Sequence, residues 1–138
     1  MTHEKLFVYG SLKHGFGNHN YFLGNVRYLG SCVTTKRSYQ MVNLGAFPGV
    51  IEVSKNGNLI LGELFEIDNR TLDRVDRLES NGSFYTRKLV EVVGSDDPVE
   101  AWMYLLPEYY LKYDGMEDGM ARYHVRMDEE QTQVWTSR

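Results

Sequence analysis

The sequence predicts an α+β protein, an antiparallel barrel or strongly curled sheet around one helix, and three observations carry that prediction. Strand-length runs rich in β-branched and aromatic residues recur through most of the chain, separated by Gly, Asn, Asp and Pro breaks. A single stretch, residues 69–79 behind Asp68, has a clear helical signature. No internal repeat, low-complexity tract or linker interrupts the 138 residues, so they read as one domain, 1–138, around one core.

Taken in order, the apolar run Leu6, Phe7 and Val8 is a buried first strand that stops at Gly10, where the missing Cβ permits a turn or a close approach. Residues 10–20, rich in Gly, His and Asn, form a long loop that ends in a short helical turn at Tyr21-Phe22-Leu23 before Gly24. Residues 27–44 hold two strands with a turn near Lys36-Arg37. After a break at 45–49, the runs 50–53 and 59–67 flank Asn56-Gly57, a dipeptide suited to the positive φ angles of a tight hairpin turn. Beyond the helix come a strand at 85–93, a polar turn at 94–98 and a last strand at 99–106. Everything past Pro107 reads as partly helical, then irregular, with a frayed polar end.

Composition narrows the function classes. A net charge of -4 gives no general attraction to phosphate backbones or anionic lipid, which disfavours nucleic-acid and membrane partners and favours a small polar metabolite. Ten tyrosines supply pocket-lining material. The single cysteine, Cys32, has no internal disulfide partner, and the polar start before so short an apolar run is not a secretory signal; a reducing cytoplasm is the expectation. No apolar run approaches the roughly 18 residues of a membrane span.

The chemistry starts from a misplaced acid. At about 100° per residue, Leu72, Val75 and Glu79 share one stripe of the helix, an i,i+4 and an i,i+7 relation. A carboxylate there would be disfavoured by burial and by the negative end of the helix dipole, both of which raise its pKa toward the range useful for general acid/base work. The competing reading is a solvated last-turn residue, or a partner for Arg77 or Arg87. Past the first strand, the successive amides of Gly10, Ser11 and Leu12 can hold a carboxylate or phosphate. Nucleotide motifs fail: Phe16-Gly17 stands where a P-loop needs Lys-Ser/Thr, and Asn20 where a dinucleotide fingerprint needs its last glycine. His3, His14, His19 and His124 show no ligand spacing with Cys32 or paired carboxylates, so no metal and no cofactor is expected; His14 and His19 are within reach of a pocket mouth, though solvated positions are the commoner reading. Cys32 reads as an inert, half-buried strand thiol, and Ser11, without a His/Asp relay, as a contact rather than a nucleophile.

Tyr9-Gly10-Ser11-Leu12 after the first strand, followed by residues 72–79 and then 84–92, resembles the γ-glutamylcyclotransferase-like superfamily. Within it the chain is most similar to the γ-glutamylamine cyclotransferase branch, through Lys13, Asn18-His19 and Glu79-Ser80, and more loosely Tyr113-Asp114-Gly115. The resemblance implies a small, mainly antiparallel β-barrel with flanking helices and a cavity at one side. It assigns Glu79 as the catalytic acid and Tyr9, Gly10, Ser11, Leu12, Tyr85 and Tyr104 to substrate binding. The implied reaction converts a γ-glutamyl amide, such as γ-glutamyl-ε-lysine, to 5-oxoproline and a free amine, the substrate's own α-amine being the nucleophile. The implied partner is that small molecule, with the chain a monomer or weak homodimer. One departure stands at the rim: the family's frequent Glu-Gly pair and following proline are replaced by Glu79-Ser80-Asn81-Gly82-Ser83. Rival readings are a cyclotransferase for γ-glutamyl amino acids or other γ-glutamyl amides, and a non-catalytic binding module on the same fold.

Overall fold

The computed structural model describes residues 3–80, 82, 84–116 and 123–137. Five strands close on themselves in the cyclic order β1 (His3–Val8), β7 (Val99–Leu105), β6 (Thr86–Val93), β2 (Arg27–Thr34), β5 (Leu59–Asp68) and back to β1. The β1–β7 contact is parallel, at Leu6 and Trp102, and the other four are antiparallel, so the barrel is mixed but mainly antiparallel as predicted.

The ten-residue strand β5 is the hub: it pairs with β1 over its second half, with β2 through residues 61–66, and with β9 (Thr132–Ser137) at its start. A separate ribbon, β3 (Tyr39–Asn43) with β4 (Pro48–Glu52), is tied to the barrel by the bridges Tyr39 to Asn58 and Ile51 to Leu106. Short helix α1 (His19–Leu23), helix α2 (Asn69–Leu78) and a 3₁₀ turn (Glu108–Tyr113) flank the barrel. Consecutive residues of β1 are buried on both faces: Phe7 joins Met41, Val92, Met103 and Trp135, while Leu6 and Val8 join Leu72, Val75 and Tyr85. A strand buried twice reads as an unbroken apolar run, as this one does.

The structure corrects or refines three expectations. First, Asn56-Gly57 does not close a hairpin between the runs around it, since β4 pairs with β3 and β5 pairs elsewhere. Asn56 does take a positive φ of 57°, but Gly57 is needed for proximity: a Cβ there would lie 2.3 Å from the Arg37 carbonyl oxygen. The Asn58 amide then donates to the Tyr39 carbonyl at 2.6 Å, so the segment docks on β3. Second, the two strands of 27–44 form with the expected break between them, and they take different partners: β2 enters the barrel between β5 and β6, and β3 pairs with β4. Third, the strand ending at Leu105 is not the last. Strands β8 (Tyr123–Met127) and β9 follow, and Trp135 on β9 is among the most buried side chains. Polar residues hide this strand in the sequence, because Gln133 is itself buried and satisfied by the Met41 backbone, its Oε1 accepting from the amide at 2.7 Å.

Candidate active site

The loop leaving β1 is held by its own carbonyls. Lys13 N–H donates to Gly10 O at 3.0 Å and Asn18 N–H to Ser11 O at 3.1 Å. The Asn18 side-chain amide donates to Ser11 Oγ at 2.9 Å, and His19 Nδ1 to Leu12 O at 2.9 Å. Gly10 lies flat against Pro48, where a Cβ would sit 2.9 Å from Cγ. With the carbonyls so engaged, the amides of Gly10, Ser11 and Leu12 donate to no protein oxygen among the described residues. Buried Lys13 turns away, donating its Nζ to the Trp135 carbonyl at 2.7 Å, and burial lowers its pKa. His19 is not solvated as expected: it is buried, its ring 4.0 Å from that of His14, because its hydrogen bond to Leu12 turns it inward. His14 is exposed and meets Glu63 through its amide and Nδ1.

Glu79 is the C-cap of α2. Asp68 caps the other end, accepting from Thr71 N–H at 2.7 Å, and Leu72 and Val75 bury the predicted stripe. The Glu79 amide completes the last turn on Val75 O at 2.9 Å, after which Ser80 takes a left-handed φ of 50° and the chain doubles back. Gly82 N–H donates to Tyr85 O at 2.8 Å and Tyr85 N–H to Glu79 O at 3.3 Å, so the returning chain sets Tyr85 beside the acid. Asn81 and Ser83 of the unusual rim lie outside the described residues.

Three tyrosines surround the acid. Tyr9 OH donates to Tyr104 O at 2.7 Å and Tyr85 OH to Pro48 O at 2.7 Å. Tyr104 OH donates to Asp76 Oδ1 at 2.5 Å, and the same oxygen takes Arg87 Nε at 2.9 Å. Burial pushes all three phenols above their ordinary range, and the nearby Glu79 charge adds to the shift, so they stay protonated near neutrality. Burial likewise raises Glu79 to about 7. Arg87 pairs through its Nε with Asp76 Oδ1 at 2.9 Å.

All seven residues named from sequence, Tyr9, Gly10, Ser11, Leu12, Glu79, Tyr85 and Tyr104, line one cavity of about 280 Å³. Sequence reasoning missed Ala46, Phe47, Pro48, Leu78 and Phe84, which also line it, and Asp76 behind it. Asp76 carried a signal, being four residues after Leu72 and three before Glu79 on the same helix flank. The segment 46–48 carried none, since only tertiary folding lays it against Gly10. Cys32 is buried with a raised pKa, as an inert thiol should be. Among the described residues no group of three or more His, Cys, Asp and Glu could hold a metal ion, and no helix is long and apolar enough to cross a membrane.

Fold and site together define a small closed-barrel protein in which a half-buried carboxylate shares a cavity with a strand-end loop of amides. Residues 6–134 match the family described as "Gamma-glutamyl cyclotransferase, AIG2-like", and the chain belongs to that family. It is 40% identical over 106 residues, 76% of this chain and 86% of the relative, to a Methanocaldococcus jannaschii protein provisionally named a γ-glutamylcyclotransferase. It is 38% identical over 114 residues to the Escherichia coli K12 γ-glutamylcyclotransferase family protein YtfP, covering 82% of this chain and 88% of the relative. The crystal structure of an AIG2-like protein from Mus musculus superposes with a TM-score of 0.75 at 24% identity, over 88% of each chain, and so shares the fold.

Proposed function

We propose that this chain is a γ-glutamylamine cyclotransferase that converts a γ-glutamyl amide to 5-oxoproline and a free amine. The observation that supports this most is the shared cavity, where a carboxylate with a pKa raised to about 7 lies with three amides that lack a protein acceptor among the described residues. A γ-glutamyl group brings what such a site lacks: a carboxylate for the amides and a nucleophile of its own. The α-amine nitrogen attacks the γ-carbonyl carbon, the lactam C–N bond forms, and the bond from that carbon to the leaving nitrogen breaks. Glu79 takes the proton of the α-ammonium, whose reference pKa is about 8, and returns one to the departing nitrogen. The amides of Gly10, Ser11 and Leu12 hold the α-carboxylate, folding the substrate toward its attacking conformation. Tyr9, Tyr85 and Tyr104 wall the site as neutral phenols and keep water from the acid. The single buried thiol, Cys32, suits a reducing cytoplasm.

Positioned proton transfer is worth about 10² to 10⁴ in rate, and Glu79→Gln is expected to lose that much in 5-oxoproline release from γ-glutamyl-ε-lysine. Release at the wild-type rate would remove Glu79 from the reaction.

A further inference from the structure

The amides of the loop after β1 belong to peptide planes whose other ends are held from behind. In a trans peptide the C=O of one residue and the N–H of the next lie in one plane and point opposite ways. Ser11 N–H therefore shares a plane with Gly10 O, which accepts from Lys13 N–H at 3.0 Å, and Leu12 N–H shares one with Ser11 O, which accepts from Asn18 N–H at 3.1 Å. Lys13 N–H in turn shares its plane with Leu12 O, and that oxygen accepts from His19 Nδ1 at 2.9 Å. A carbonyl oxygen only accepts, so Nδ1 carries the proton. His19 thus stands at the head of a relay, from imidazole to the Leu12–Lys13 plane and from there to the Gly10–Ser11 plane.

The imidazole is itself held in place. His19 is buried, its own amide donates to Phe16 O at 3.2 Å, and its ring lies 4.0 Å from that of His14 and 5.5 Å from that of Phe65. His14 is anchored to β5, its amide donating to Glu63 Oε1 at 2.7 Å. His19 stands behind the residues that line the cavity, so whatever it does there it does through the loop. Resting on the cyclotransferase reading above, in which the loop amides receive the α-carboxylate, we infer that His19 is the positioning residue of that receptor. Its Nδ1–H holds Leu12 O back and so keeps Ser11 N–H turned to the substrate. A hydrogen bond at a carbonyl also polarises the N–H of the same peptide, so each link strengthens the next donor. Asn18 does the matching task for Leu12 N–H through its backbone amide, which substitution leaves in place. The side-chain donor of His19 is the link that a mutation can cut.

The test replaces His19 three ways and follows 5-oxoproline release from γ-glutamyl-ε-lysine. Asparagine carries an N–H as many bonds from Cβ as Nδ1 is, glutamine carries one at the reach of Nε2, and phenylalanine keeps a ring with no donor. His19→Phe and His19→Gln should raise KM about tenfold, the order of one hydrogen bond to a charged group, with kcat held within about threefold because the interaction lost serves ground state and transition state alike. His19→Asn should return KM to within about threefold of the wild type, although it leaves part of the ring's space empty, so KM should follow the donor and not the melting temperature. Nitrogen-15 spectra of the wild type at about pH 8, above the ordinary imidazole range, should show a proton on His19 Nδ1, a measurement that needs no variant to fold. Wild-type KM in a folded His19→Phe or His19→Gln, variants whose KM ranks with their melting temperatures, or a bare Nδ1 would overturn the inference alone. A wild type that releases no 5-oxoproline would instead overturn the cyclotransferase reading, and the inference with it.

Discussion

Glu79 holds its proton to near neutrality because the fold removes it from water without supplying a cation, and its pKa rises from 4.5 to about 7. The folded protein thus binds more protons than the unfolded chain between those two values. Stability is unaffected by this group below pH 4.5, falls as pH rises toward 7, and carries the full penalty above it. The shift corresponds to on the order of 3 kcal/mol, so Glu79→Gln should be more resistant to urea than the wild type at pH 8, by up to that order, and no more resistant at pH 4. In the proposed reaction the same group would shape the rate. Proton transfer there needs an ionised Glu79 and a protonated α-amine, so kcat/KM should follow a bell whose acid limb lies near 7. That limb should vanish in Glu79→Gln, and an acid limb at the ordinary carboxylate value would contradict the burial argument. The acid was legible in the sequence because one polar residue broke an apolar stripe of known period. Which groups surround it was not, since residues 9, 46–48, 85 and 104 meet only through barrel closure.

At the scale of elements, α2 works as a two-pronged arm. Its N-terminus is tied by Asp68, its middle is buried through Leu72 and Val75, and its last turn presents Asp76 and Glu79 three residues apart. Asp76 fixes Tyr104 and Arg87 at once through a single carboxylate oxygen. Asp76→Ala leaves the part-buried Tyr104 hydroxyl without its acceptor, and a lost partner of that kind costs about 1–3 kcal/mol. A denaturant midpoint lowered by that amount is expected, together with a weaker KM as the cavity wall loosens. Asp76→Asn keeps an acceptor and should lose less of both. The loop after β1 is the opposing element. Gly10→Ala would push Pro48, whose carbonyl anchors Tyr85, so its effect should appear in KM before it appears in stability. Helix and loop were each visible in sequence from caps and turn residues, which are local. The return at Ser80 was not, because a left-handed φ on a serine has no residue-type signature.

For the whole molecule, closure depends on the end of the chain as much as on its start. Trp135 is 1% exposed and packs with Phe7, Met103 and Val92, while its carbonyl receives Lys13 from the loop. Emptying so large a buried site costs about 3–5 kcal/mol, so Trp135→Ala should shift thermal unfolding sharply downward and free the loop end at Lys13. Unchanged melting would mean that β9 is an ornament of the barrel rather than part of its core.

By itself the sequence determined what depends on near neighbours: the first buried strand, the capped helix with an acid on its apolar stripe, the strand-rich class, and a loop with exposable amides. Propensity, period and turn chemistry act over a few residues, and each of these features lies within that range. Tertiary structure alone decided which strands are partners, that the polar-looking β9 enters the core, and that an aromatic rim stands over the acid. Pairing and burial are set by where non-local segments bury the most apolar surface while keeping most buried polar groups bonded, and that balance exists only once the barrel has closed.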